Sequence, residues 1–516
     1  MNGAISVRSA SALSLSLVGL DVHQVHVTAE VEDRPAVFRL AGVTDAAARE
    51  ARSRVSSTLR GLGVDLDPYS IVVTIAPPPK ATSVNQFDLA LAVVILAAIG
   101  QIPDQALARV ALLGELAYDG SIRPVRGILP ALRGAEAQGI SRFIVPRGNA
   151  AEAANVPGVQ VGVAEHLAEV IIHLKGERAL AGPGKPAAFG SDPVEVAHDL
   201  AAIRGQQSAK RVLEVAAAGA HHTLLIGPPG SGKTLLARRL PTILPPMRIE
   251  EALEVSAIHS VAGLLPSARG LISARLFRAP HHTVSAAGMV GGGDPVRPGD
   301  VSLAHHGCLF LDEFPEFRRG VIETLSHVLA EGQVTISRDR SRVTFPTRPQ
   351  LVVALNPCPC GFAGDQWRRC TCSVDRIRTY RARLGGPLLD LIDVQALVPP
   401  ADMAQLSSTS PGESSATVRA RVVKARALQR ARFEAREVTA LENSKLTLVE
   451  LGRVAVPDEA GARMISQAVE RLGLPPSVRK RVLRVARTIA DLEGSTAVRG
   501  PHVAEALEVA HVEHGG

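Results

Sequence analysis

The chain has 516 residues, of which 46% are apolar and 21% charged, and a formal net charge of +7. That length exceeds what one hydrophobic core supports, so two to four domains are expected, and no run of about 18 uncharged apolar residues offers a membrane span. The basic balance suits a polyanionic partner without requiring one. Four of the five cysteines crowd between Cys358 and Cys372, which fits metal or free thiols in a reducing, cytoplasmic setting and not a disulfide framework.

Apolar and polar residues alternate at the start (Ser14-Leu-Ser-Leu17), and the clustered basic region of a leader peptide is missing, so Met1–Leu20 is predicted to hold the first strand. Ile71–Ala76 reads as a β-branched strand, Asp88–Ile99 as an apolar helix and Arg142–Pro146 as another strand, giving an α/β domain over 1–175. The Gly, Pro and Ala-rich stretch Ala181–Gly190 can neither pack a core nor continue a helix, and a linker is placed at 176–196. From Asp199 the pattern runs helix, strand, glycine loop, helix, with apolar strands at Cys308–Leu311 and Leu351–Ala354. This predicts a parallel sheet covered by helices over 197–400. The polar tract Ser407–Ser415 marks a second linker, at 401–416. Basic helices at Thr417–Arg436 and Ser477–Leu492 make 417–516 a small helical domain.

Gly227-Pro228-Pro229-Gly230-Ser231-Gly232-Lys233-Thr234 lies between the strand Thr223–Ile226 and the helical run Leu235–Leu240, the context a phosphate-binding loop requires. Its glycines let consecutive backbone N–H groups turn inward as an anion nest, and the helix N-terminus adds positive potential there. Lys233 is expected to reach the β- and γ-phosphates of ATP, and the Thr234 hydroxyl to ligate Mg²⁺. The apolar strand Cys308–Leu311 ends in Asp312, assigned to the metal, and Glu313, assigned to polarise the attacking water.

Several further runs resemble one family, the magnesium-chelatase-like AAA+ ATPases of the ComM/YifB type. They include Gly205–Gly219, Ala279-Pro-His-His-Thr283, Gly291–Gly293, Arg297–His305, Phe314–Arg319, Val334–Arg338, Asn356-Pro-Cys-Pro-Cys360, Gly386–Asp390 and Val485–Leu492. The resemblance spans nearly the whole chain. It implies a Lon-protease-like N-terminal domain, a central AAA+ module and a helical lid, assembled as a homo-oligomeric ring of six. It also implies action on single-stranded or branched DNA, as a helicase-type motor for branch migration during natural transformation. Asn356 matches the family's γ-phosphate sensor, and Val334–Thr344 resembles its pore hairpin. Arg338, Arg340 and Arg342 are expected to alternate on one strand face and grip phosphate backbone without reading sequence.

Three departures keep a second reading open, a nucleotide-binding scaffold or chelatase-like subunit without efficient hydrolysis. Leu391 follows Asp390 where the family pattern has an arginine, the expected trans finger, and Arg381 and Arg383 lie off that position. Ser477 stands where relatives carry a sensor arginine, with Arg479 two residues on. The run Leu325–Ala330 lacks the Arg, Gln, Pro and Glu usual there. A Lon-like protease is a third reading, but its dyad positions hold Gln86 and Leu129, with Ser83 and Lys80 near only the first. Cys358, Cys360, Cys370 and Cys372 supply the four thiolates of a structural zinc, here with tight C-x-C spacing, and Cys308 is expected to pack in the core. The paired histidines 221–222, 281–282 and 305–306 are assigned to strand ends and subunit contacts, with no ligand role.

Overall fold

The computed structural model describes all residues except 1–6, 35–36, 80–83, 187, 191–198, 267, 339–340, 365–367, 383–386, 401–411, 473–475 and 511–516. Lys80, Ser83, Arg340 and Arg383, singled out above, lie outside the described residues. Among the described residues no helix is long and apolar enough to cross a membrane.

The first half builds a mixed seven-stranded sheet from β1 (Val7–Val18), β2 (Asp21–Asp33), β3 (Val37–Ala41), β4 (Tyr69–Ala76), β5 (Val110–Leu112), β6 (Arg142–Pro146) and β7 (Gln160–Ala164). Its order is β3-β4-β2-β1-β5-β6-β7. β1 and β2 pair antiparallel over their whole length, from Val7↔Glu32 to Val18↔Asp21, around a two-residue turn whose Gly19 takes φ +67°. Helix α1 (Asp45–Gly61) and helix α2 (Asp88–Ala98) pack on this sheet. Every residue of α2 is buried, and all but Asp88, which accepts from Arg54 at 2.8 Å, are apolar, so the helix shows no amphipathic stripe.

After α3 (Ile128–Glu136), the middle of the chain forms a parallel five-stranded sheet. Its strands are β8 (His222–Ile226), β9 (Phe277–Arg278), β10 (Cys308–Leu311), β13 (Gln350–Leu355) and β14 (Ile392–Leu397), in the order β9-β10-β13-β8-β14. Between β10 and β13 the strands β11 (Gln333–Arg338) and β12 (Ser341–Pro346) form a separate hairpin. β10 and β13 are buried at every residue, the continuous apolar pattern of parallel strands covered on both faces. Of the helices α4 (Gln207–Gly219), α5 (Lys233–Ile243), α6 (Ile249–Ala262) and α7 (Arg319–Glu331), α4, α5 and α7 cover the sheet, whereas α6 packs on α3 of the first half. Cys308 is fully buried in this core, and burial pushes its thiol up to about 12, so it is a packing residue.

Downstream of α8 (Val374–Ala382), helices α9 (Ser415–Glu434), α10 (Glu459–Leu472), α11 (Pro476–Glu493) and α12 (Gly500–Ala510) share one apolar cluster with α4, α5 and β14. α9 starts at Ser415, capped by the Ser414 hydroxyl, two residues earlier than the basic pattern predicts. A buried polar seam fixes this helical unit to the sheet. His221 on the sheet side bonds Asp393 through Nδ1 and Thr488 through Nε2, both at 2.8 Å. Asp491 accepts from Arg432 at 2.8 and 2.6 Å, from Asn443 at 2.8 Å and from Arg487 at 3.2 Å.

The first sheet also touches the second unit. Val18 and Leu20, flanking the β1–β2 turn, pack into the apolar cluster that holds Ile336 of β11 and Val343 of β12.

Asp491 is 1% exposed, so removing it leaves the buried Arg487 and the part-buried Arg432 without their carboxylate. Asp491→Ala is expected to cost about 3 kcal/mol, the cost of breaking a buried pair, measured as an early unfolding transition of the helical unit in a thermal melt.

Candidate functional site

The parallel register brings three loops to one edge of the second sheet. Ile226 aligns with Leu355, and Leu311 with Val353, so Gly227, Asp312 and Asn356 all leave their strands at the carboxyl end. Loops at this edge are where open α/β sheets bind ligands.

Gly227–Gly232 connects β8 to α5. Gly230 and Gly232 adopt φ +78° and +95°, the left-handed region open to glycine. A Cβ on Gly227 would lie 2.2 Å from the Val398 carbonyl oxygen, so a side chain cannot fit there. Pro228 and Pro229 complete the turn, and the Ser231 N–H donates to the Pro228 carbonyl at 3.3 Å. The Ser231 hydroxyl is buried with no hydrogen-bond partner among the described residues, an orphaned donor inside the loop. Lys233 uses all three ammonium protons, donating to the Gly227 carbonyl at 2.8 Å, the Pro228 carbonyl at 2.9 Å and Asn356 Oδ1 at 3.1 Å. Burial lowers its pKa, opposed by the charges of Asp312 and Glu313.

One residue on, the Thr234 hydroxyl donates to Asp312 Oδ2 at 2.7 Å. The other Asp312 oxygen accepts the Glu313 backbone N–H at 3.0 Å, and Glu313 itself takes φ +50°. Lys233, Thr234, Asp312 and Asn356 therefore form one bonded group, with Glu313 beside it, its side chain 59% exposed.

Three neighbours of this group were not marked from the sequence. His282 Nδ1 lies 3.7 Å from Glu313 Oε2, so one histidine of the Ala279–Thr283 run reaches the site. The Asn356 backbone N–H donates to the Tyr380 hydroxyl oxygen on α8, and burial raises that hydroxyl to about 12, so it stays neutral. The Gln206 amide donates to the Pro399 carbonyl at 2.8 Å beside the loop. All three sit far from the glycine loop in sequence, and only the paired histidines formed a visible pattern.

The cysteine cluster is part of the same edge. Cys358, Cys360, Cys370 and Cys372 place their sulfur atoms within 4.8 Å of one another. The Sγ–Sγ distances are 3.4 Å (358–360), 3.7 Å (358–370) and 3.6 Å (360–370). A tetrahedron with metal–sulfur bonds of about 2.3 Å has edges of about 3.8 Å, so the four cysteines could hold a metal ion. Backbone N–H groups of Phe362 and Thr371 hold the Cys360 thiol down at about 5. Gly361, φ +85°, backs onto the glycine loop, and a Cβ there would lie 2.4 Å from Pro229 Cδ.

A second trio, Glu254, His305 and His306, also brings its ligand atoms within 4.8 Å. His305 Nδ1 accepts the Arg348 backbone N–H at 3.0 Å, so its proton sits on Nε2 and is donated to Glu254 at 3.0 Å. Burial keeps this imidazole neutral, its pKa lowered to about 4. His306 Nε2 also lies 3.1 Å from Glu254 Oε2, so both imidazoles converge on this one carboxylate.

The arginine hairpin needs correction. Arg338 ends β11 and Arg342 lies on β12. Arg338 pairs with Ser341 and Arg342 with Ser337, so the two guanidiniums belong to different strands and opposite faces. Pairing across the hairpin, not alternation along one strand, sets their sides. Leu391 is half-buried and packs against the apolar cluster with Leu388, Leu389 and Ile392. Ser477 lies at the start of α11, one residue after Pro476. In the first half of the chain, Gln86, in the turn before α2, donates its amide to the Leu15 carbonyl at 3.3 Å and Leu129 on α3 is fully buried, so neither offers a nucleophile or a base.

Comparison with known proteins agrees with this architecture. Residues 26–149 match the family described as subunit ChlI of Mg-chelatase, 199–406 the family magnesium chelatase, subunit ChlI, and 412–509 its C-terminal part. The chain is 40% identical over 499 residues to an uncharacterized protein of Mycobacterium tuberculosis, covering 96% of this chain and 97% of that one. It is 37% identical over 502 residues to YifB of Escherichia coli, covering 96% and 97%. Against the competence protein ComM of Haemophilus influenzae it is 37% identical over 505 residues, covering 97% and 96%. The chain belongs to the magnesium-chelatase-like AAA+ ATPase family of the ComM/YifB type.

Gly361→Ala is expected to destabilise the protein by about 1–3 kcal/mol through overlap with Pro229. Gly364→Ala, also at positive φ (+78°) but facing open space, isolates the backbone cost. Thermal midpoints of the two variants, compared with the parent, measure the packing of the cysteine turn on the glycine loop.

Proposed function

We propose that the protein is an ATP hydrolase that binds Mg-ATP at the Gly227–Thr234 loop. The observation carrying this reading is the 2.7 Å bond from Thr234 to Asp312, which links the glycine loop to the acidic strand end. In this reading the N–H groups of Gly230, Ser231 and Gly232 cradle the phosphates and the Ser231 hydroxyl gains a phosphate oxygen as acceptor. Lys233 exchanges its loop carbonyls for phosphate oxygens. Thr234 and Asp312 hold Mg²⁺, which neutralises charge developing on the phosphates. Glu313 accepts a proton from the attacking water, with His282 beside it to steady the carboxylate, and Asn356 orients that water while staying bonded to Lys233.

Support for a DNA motor comes from the exposed Arg338 and Arg342 on the projecting hairpin, from the net charge of +7 and from the likeness to a competence protein. The reading is a cytoplasmic homo-oligomeric ring, six subunits by family resemblance, that drives branch migration of single-stranded or branched DNA during natural transformation. Its parts are a Lon-like N-terminal domain over 1–175, an AAA+ core over 197–400 and a helical lid over 417–516, with linkers at 176–196 and 401–416. The four cysteines carry a structural Zn²⁺ that clips the segment following Asn356 onto the glycine loop.

One observation favours a second reading, a nucleotide-dependent scaffold with little turnover. Leu391 is packed into an apolar cluster, so the position of the family's finger arginine presents a hydrocarbon.

Lys233→Ala is expected to weaken ATP binding at least tenfold, whereas Glu313→Gln keeps binding and lowers hydrolysis about 10²–10⁴-fold. ATPase assays with and without single-stranded DNA, run beside Leu391→Arg, separate the readings. DNA-stimulated turnover in the parent supports the motor. Turnover that appears only in Leu391→Arg supports the scaffold.

Metal analysis of the purified protein is expected to give about one zinc per chain, lost in Cys370→Ser. A zinc-free protein of unchanged thermal midpoint would remove the zinc assignment.

A further inference from the structure

A cavity of about 420 Å³ opens at the opposite edge of the second sheet from the glycine loop. Its walls come from the amino ends of β8 and β10, the segments leading into α6 and β13, the end of α7, and the helical unit through α9 and residues 441–445. The volume falls within the range of small-molecule sites.

The charges in this cavity do not cancel. Its three carboxylates are Glu251, Glu331 and Glu442. Glu251 is taken by Arg275 at 2.9 Å and by Arg248 at 3.6 Å, and Glu442 lies 3.6 Å from Arg426. Glu331 pairs at 3.4 Å with His327 on its own helix. Arg348 from the sheet side, and Arg430 and Lys445 from the helical unit, also line the cavity. Their side chains have no hydrogen bond or ion pair among the described residues. Two planar guanidiniums and one ammonium, all exposed, thus face the same space with no acceptor.

Deeper in, Arg275 donates to the Pro245 carbonyl at 3.0 Å and the His306 carbonyl at 2.8 Å, and Arg426 donates to the Ala217 carbonyl at 3.2 Å. These buried cations hold the walls and add positive potential without being free to leave. The lining contains no Phe, Tyr or Trp, so it offers no large aromatic face to a nucleobase, and its rings are the imidazoles of His222 and His306.

We propose that this cavity is a second anion site, taking a pyrophosphate-class ligand that ties Arg348 of the sheet to Arg430 and Lys445 of the helical unit. Guanidinium forks bind phosphate oxygens in pairs, and an anion of several oxygens can meet three cations from two structural units at once. Bound there, it bridges the sheet and the helical unit from the side opposite the glycine loop.

The test uses the full-length Lys233→Ala protein, so that the glycine loop is weakened, with inorganic pyrophosphate as probe in calorimetry at low salt. Expected is one pyrophosphate per chain with a rise in thermal midpoint. Both should fall at least tenfold in affinity when Arg348→Ala and Arg430→Ala are added. These two residues are exposed, and a circular-dichroism melt of the unliganded variant checks that it folds. ATP in a parallel arm is expected to bind this background no more tightly than pyrophosphate, because only its phosphates find partners. Pyrophosphate binding that survives the double substitution overturns the proposal, as does its absence from the parent background. Displacement of pyrophosphate by an equimolar single-stranded oligonucleotide would also overturn it, by making the cavity part of a nucleic-acid surface.

Discussion

The bond between the Thr234 hydroxyl and Asp312 is the constraint on which the rest of the site depends. It requires the helix start after one strand and the last residue of another to lie at the same height, and only parallel pairing through β13 provides that. Asn356 is fixed by the same register, since it leaves β13 where its amide oxygen meets the Lys233 ammonium. A slip of one residue would turn every side chain of β13 to the other face and part this group. The buried apolar runs of β10 and β13 therefore align the site as well as supply core.

The glycine loop and acidic strand end were legible in the sequence because their chemistry is local. A run of glycines with Lys233 and Thr234 needs only a strand before it and a helix after it, and both stand where the pattern placed them. The strands at Arg142–Pro146 and Cys308–Leu311 were read to the residue, since β-branched and apolar runs bounded by turn signals leave little choice. What stayed hidden depends on pairing between distant segments. His282 meets Glu313, and Tyr380 meets the Asn356 backbone, only after the sheet has closed. The faces of Arg338 and Arg342 were misread because alternation holds along one strand, whereas these two arginines stand on paired strands. The seam of His221, Asp393, Thr488 and Asp491 joins residues up to about 270 positions apart, and none of them announces a partner.

Two details of the site's rim pull in different directions. Gly361 lies so close to Pro229 that no side chain fits between the cysteine turn and the glycine loop. Leu391, by contrast, spends the position of the family's finger arginine on apolar packing.

The contact at Gly19 has a mechanical consequence. A single methyl group added there would come within 2.5 Å of Val343, so the turn of the first sheet lies close against the middle of the arginine hairpin, with no room for a side chain between them. Val18 and Leu20 also pack in the apolar cluster that holds Val343, so a shift of the hairpin toward that turn disturbs both contacts together. A displacement of the hairpin toward that turn is therefore felt in the first half of the chain as well as in the second.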